Sequence, residues 1–247
     1  MPIRCFAIAC LAVAIASTPA LAGEISFDDA GFVHGEIIDT DFLASDGLKI
    51  SADVKGVSPD LAIIFDSNTK VATTDRDLLF GGAWAGGNAT KEDLGNLLIL
   101  SENTRTKPGD PDVILDPDDE GSRPAGSITF DFGATYWTAL GLSLVDFEEY
   151  KTSSIDFYNG GAKFRTITFD EFSAGGAFDN GATWGDRFAN RIDPLDPGAA
   201  FNKFVVNYGG SGAIGDIVVV PLPAAAWMGI LGLGILGIAR HRRRRAI

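Results

Sequence analysis

Between residues 23 and 219 several short runs alternate apolar and polar residues and no convincing helical pattern appears, which predicts β structure. Ser127-Ile128-Thr129-Phe130-Asp131-Phe132 puts Ile128, Phe130 and Phe132 on one face, because successive strand side chains point to opposite sides. Leu140, Leu142 and Leu144 repeat the pattern, as do Ile155 with Phe157, and Phe204, Val206 and Tyr208. Further strands are expected over Leu48 to Val54, Leu61 to Phe65, Leu97 to Leu100, Ala162 to Phe169 and Gly212 to Val219. Clusters of Gly, Asn, Asp and Pro separate them, and Tyr158-Asn159-Gly160-Gly161-Ala162 has the composition of a hairpin turn. Many short strands between turns predict an all-β fold class, a β-sandwich or jelly roll. The connections Asp66 to Asn96 and Glu102 to Gly126 are long and rich in Gly and Asp, and loops of that length often carry function.

The ends of the 247-residue chain read differently. Residues 1–22 have the pattern of a signal peptide: Arg4, an apolar stretch from Phe6 to Ala16, and the small-residue site Ala20-Leu21-Ala22, so the mature chain is expected to start at Gly23. The apolar run is too short to span a membrane. Cys5 and Cys10 both lie in this leader, so the domain has no cysteine and forms no disulfide, thiolate nucleophile or cysteine zinc site.

Charge divides along the same lines. All 33 acidic residues fall between Glu24 and Asp216; of the 20 basic ones, Arg4 is in the leader and five are at the C-terminus, leaving 14 in the domain and a domain charge of −19. Such a surface repels phosphates, so no nucleic-acid partner is expected; it suits an extracellular domain or one that takes divalent cations.

From Ile217 to Ala239 no residue is charged. A helix over about 223–239 would cover most of a hydrocarbon core, and Arg240, Arg242, Arg243, Arg244 and Arg245 behind it would hold the C-terminus in the cytoplasm and leave the β domain outside. Just before the span stands Val220-Pro221-Leu222-Pro223-Ala224, whose two prolines favour an extended segment. Pro motif, apolar Gly-rich helix and terminal Arg cluster together resemble the VPLPA-CTERM sorting signal, a relative of PEP-CTERM. The resemblance covers about the last 28 residues and implies an exosortase-type processing enzyme as partner, a stay in the inner membrane, and delivery to the cell surface or extracellular polysaccharide. Val220 to Ala224 would be the segment that is recognised.

The domain itself is similar to secreted β-sandwich modules that carry various surface anchors. The residues concerned are Asp75-Arg76-Asp77-Leu78, Gly95 to Glu102, Gly126 to Phe132 and Gly210-Ser211-Gly212-Ala213-Ile214-Gly215-Asp216-Ile217. In the related pattern an acid stands where this chain has Gly215. The closing segment also resembles carbohydrate-binding jelly rolls with a structural calcium near their first and last strands.

Candidate chemistry is sparse. Asp116-Pro117-Asp118-Asp119-Glu120-Gly121 offers Asp116, Asp118 and Glu120 as oxygen ligands around a turn, but position twelve is Ser127 and strands flank it, so it is no EF-hand. Asp66, Asp75 and Asp77 form a second acidic group, and Asp28 or Glu24 with Asp216 a third, if first and last strands are neighbours. Calcium is the one cofactor these suggest; Asp is equally common in solvated turns. Trp84 and Trp184 sit in glycine-rich segments and Tyr136-Trp137 follows a strand, so these rings could stack on a glycan or plug the sandwich ends. His34 is the domain's lone histidine, and Gly209-Gly210-Ser211-Gly212-Ala213 lacks the final Gly of a nucleophile elbow, so no catalytic set is picked out. The sequence thus favours a non-enzymatic exported surface or matrix protein. Alternatives are a calcium-dependent carbohydrate-binding module and a secreted glycosidase.

Overall fold

Apolar residues two apart cannot be buried singly, so each alternating run needs a partner strand beside it and a second sheet facing it. The computed structural model, which describes residues 22–28, 31–119 and 122–222, has both. In chain order its strands are β1 (Gly23–Ile25), β2 (Ile37–Ile38), β3 (Lys49–Val54), β4 (Ala62–Asp66), β5 (Asn96–Leu100), β6 (Thr106–Lys107) and β7 (Asp110–Ile114). They continue with β8 (Gly126–Asp131), β9 (Trp137–Val145), β10 (Ser154–Asn159), β11 (Ala162–Thr168), β12 (Ala189–Leu195), β13 (Lys203–Tyr208) and β14 (Ala213–Pro221). Helix is confined, among the described residues, to two four-residue pieces, Leu43–Asp46 and Phe169–Phe172.

The larger sheet runs β12-β9-β14-β5-β4-β2, with β1 also on β14. The smaller runs β11-β10-β13-β8-β3, and β6 pairs with β7 alone. Every named pairing is antiparallel. On one flank β14 lies along β9; on the other its first residues pair with β5 and its later ones with β1. The expected hairpin joins β10 to β11, with Gly160 (φ 56°) and Gly161 (φ 95°) as its two loop residues. Positive φ at both positions is what a tight hairpin of this twist requires, and glycine adopts it without a Cβ penalty.

Between the sheets lies the main core. Ile64, Leu98, Leu140, Leu142, Leu144, Ile214 and Ile217 come from the larger sheet, and Ile50, Ile128, Phe130, Ile155, Phe157, Phe204 and Val206 from the smaller. Phe130 and Phe204 are direct cross-strand partners and stack at 4.5 Å. Such a pair contributes about 0.5–1.5 kcal/mol beyond the area it buries.

The larger sheet is also covered on its outer face. Ile63, Phe65, Leu97, Ile99, Val145 and Ala213 form a second core with Leu78, Trp84, Ala89 and Leu94 from the long connection between β4 and β5. That connection is therefore a cover built of chain without regular structure. It is held along β12 by backbone bonds from Ala85 to Arg187 (2.9 Å), Ala189 to Gly86 (3.0 Å) and Ala89 to Ala189 (3.0 Å). The Asn88 side chain adds a rung, accepting from Arg191 N–H (2.7 Å) and donating to its carbonyl (3.1 Å).

The leader up to Leu21, the expected span and the basic cluster lie outside the described residues. Among the described residues no helix is long and apolar enough to cross a membrane.

Candidate functional site

β14 carries the start of the sorting segment. Val219 pairs with Leu140, Val220 with Ala139 and, after a register slip, Pro221 with Trp137. Thr138 donates its hydroxyl to the Val220 carbonyl at 3.1 Å. A proline has no N–H to give a ladder, and Pro221 is accommodated because it sits where the strand ends and the register is already irregular. Val220 and Pro221 thus belong to the sheet and Leu222 follows directly; Pro223 and Ala224 lie outside the described residues, as do Ala20 and the terminal arginines Arg240 and Arg242–Arg245. Ala22 is exposed and Gly23 opens β1.

The proposed calcium ligands that are described have contacts of their own. Asp116 has a positive φ (52°) and caps the covering loop, its carboxylate accepting the Thr74 N–H (3.0 Å) and hydroxyl (3.1 Å). Glu120 lies outside the described residues. First and last strands are neighbours, as that pairing needs, but the acids are engaged separately. Asp28 accepts the Asn96 N–H (2.8 Å), and Asp216 pairs with Arg191 (3.6 Å). Glu24 is exposed on β1. Asp66 accepts the Asn68 N–H (2.8 Å), while its own N–H donates to Nδ1 of His34 (3.1 Å). Burial lowers the His34 pKa, with Asp66 and then Asp116 opposing. His34 therefore serves as a neutral acceptor. Among the described residues no three His, Cys, Asp or Glu side chains converge on a cation position.

What the fold does bring together is Asp75, from the covering loop, and Asp119, from the β7–β8 connection. Each is 2% exposed. They lie within hydrogen-bonding reach of each other. Asp119 Oδ2 accepts the Gly212 N–H at 2.7 Å, at the entry to β14. Its Oδ1, both Asp75 oxygens and the Tyr208 hydroxyl are buried without a partner. Burial pushes the Asp75 carboxyl up and holds Asp119 well above the usual carboxylate range, where the charge of Asp75 adds to the effect. Burial likewise raises the Tyr208 hydroxyl, and the charge of Asp119 raises it further. Beside them, Asp146 is pushed up to about 8 by burial, against the lowering effect of the Arg187 N–H it accepts at 2.6 Å.

The aromatic candidates part company. Trp84 is a second-core residue, 4% exposed, and its indole N–H donates to the Glu92 carbonyl at 2.9 Å, so it has no ring face to offer a glycan. Trp184 stacks on Phe169 (5.2 Å) and Tyr150 (5.9 Å) and donates to the Ser173 hydroxyl (3.0 Å). With Tyr150, Ser173 and Thr183 it lines an open hollow of about 350 Å³. Trp137 packs edge-on against Phe132 (5.5 Å), its indole N–H buried.

Comparison with known proteins bears on the tail. A family model described as the PEP-CTERM protein-sorting motif matches residues 219–244. No curated protein matches the chain. Among solved structures, the K2 cleaved adhesin domain of Lys-gingipain is similar at 13% identity and a TM-score of 0.37, over 81% of this chain and 99% of that one. A likeness that loose says nothing about activity.

Proposed function

We propose that this chain is an exported, non-enzymatic cell-surface or extracellular-matrix protein. Its tail holds it in the inner membrane with the C-terminus cytoplasmic until an exosortase-type enzyme cuts at the VPLPA segment. The carrying observation is the sorting motif at residues 219–244, which begins inside β14. Because Val220 and Pro221 are paired with Ala139 and Trp137, a cut before them would require the strand end to be peeled away. A cut after Leu222 leaves the sheet whole. The mass of the protein recovered from its host's surface should therefore correspond to a C-terminus at or just beyond Leu222. A mass that includes Ile247 would overturn the reading.

A carbohydrate-binding reading is favoured by the hollow at Tyr150 and Trp184. Under it, the protein is retained on its host's exopolysaccharide and Trp184→Ala abolishes retention. Equal elution of variant and parent removes this reading and leaves the sorting proposal untouched.

A further inference from the structure

The buried meeting of Asp75 and Asp119 needs something between its oxygens. Two ionised carboxylates both accept, and neither supplies a donor to the other. Four buried oxygen atoms, Asp75 Oδ1 and Oδ2, Asp119 Oδ1 and the Tyr208 hydroxyl, make no close hydrogen bond. Tyr208 is 1% exposed, and its hydroxyl lies close enough to feel the Asp119 charge. None of the ion pairs among the described residues involves Asp75 or Asp119. Further negative charge surrounds them: Asp118 and Asp77 act on Asp75, and Asp146 acts on Asp119. A single shared proton would satisfy one oxygen on each carboxyl and leave the others without a donor. Leaving a buried carboxylate without a counter-charge is strongly unfavourable.

We propose that Asp75 and Asp119 bind a hard divalent cation of the calcium class, which ties the cover of the second core to the β7–β8 connection and to the start of β14. An all-oxygen, anionic set is the chemistry such ions select. Two carboxylates do not complete a shell, so backbone carbonyls and water would supply the rest, as these ions readily accept. The ion would act structurally. Asp75 belongs to a segment without regular structure, and Asp119 already grips the Gly212 N–H, so one ion there clamps three chain segments at one point. The site is independent of the sorting tail.

The test uses the full chain purified in detergent, melted at neutral pH in calcium and in EDTA. With calcium about 100-fold above its dissociation constant, the thermal midpoint should rise by about 5–10 °C. Asp75→Asn and Asp119→Asn should each abolish the rise, while Asp112→Asn, at an exposed position on β7, should keep it. Terbium in place of calcium should show emission sensitised by the nearby Tyr208, quenched by added calcium. Should a variant fail to fold, the terbium signal of the parent and its competition by calcium still decide. The proposal falls if the parent shows neither a calcium-dependent midpoint nor terbium emission, or if the calcium effect survives undiminished in both folded variants.

Discussion

Asp146 shows how much one residue's surroundings matter. Its backbone is left-handed (φ 63°), and its carboxyl, 1% exposed as a residue, accepts the Arg187 N–H while Asp77, Glu148 and Asp186 raise it and Asp119 lies near. With the folded value at about 8 against an ordinary 3.8, the folded chain holds this proton more tightly than the unfolded chain. Its contribution to stability is complete below the unfolded value, falls as pH rises through that window and is gone above about 8. Asp146→Asn keeps the acceptor and tolerates the backbone. In EDTA the drop in thermal midpoint from about pH 5 to about pH 9 should be smaller in the variant than in the parent; parallel curves would contradict the assignment. None of this could be read from the sequence. Asp146 follows Val145 as an ordinary strand-end acid, and Asp75 and Asp119 are brought together only by the fold. By sequence Asp75 groups with Asp77 and Asp119 with its acidic neighbours, and burial alone selects the pair.

At the scale of elements, alternation exposed the strands that have one buried and one open face. It pointed to β8, β10 and β13 because their second faces are partly open. In β9 it marked Leu140, Leu142 and Leu144 and passed over Ser143 and Val145, which are equally buried because the second core closes the other side. The cover responsible has no period to detect. β12 was missed for a different reason: Pro194 and Asp193 break the pattern, and the strand survives because it is a sheet edge with an irregular register beside Pro194. Gly87 is what lets the cover approach that edge. It has φ 93°, and a Cβ there would fall 1.9 Å from the Ala189 carbonyl oxygen. Gly87→Ala should lower stability in urea unfolding by at least about 1–3 kcal/mol, the range for a strained backbone position. Gly82→Ala, also at positive φ (100°) but with nothing within 4 Å of its Cβ, should cost less. Equal losses would mean that contact with β12 is not what requires glycine.

Across the whole molecule, the long connection from Asp66 to Asn96 covers the larger sheet, with Trp84 as its buried anchor. The sandwich was foreseen because both sheets use alternating apolar residues. Its closure was not, since β1 is three residues long and its partner begins almost two hundred residues later. That partner, β14, is the last strand among the described residues and one of the most central, bonded to β9, β5 and β1. A ribosome releases chain from the N-terminus onward, so everything before β14 emerges without the strand that joins the larger sheet together. The larger sheet cannot be completed until β14 is available, and the sorting motif starts within that strand, at residue 219. A chain ending before β14 would therefore lack both the strand that joins the larger sheet and its whole address, whereas one ending at Leu222 would keep the sheet and lose most of the address.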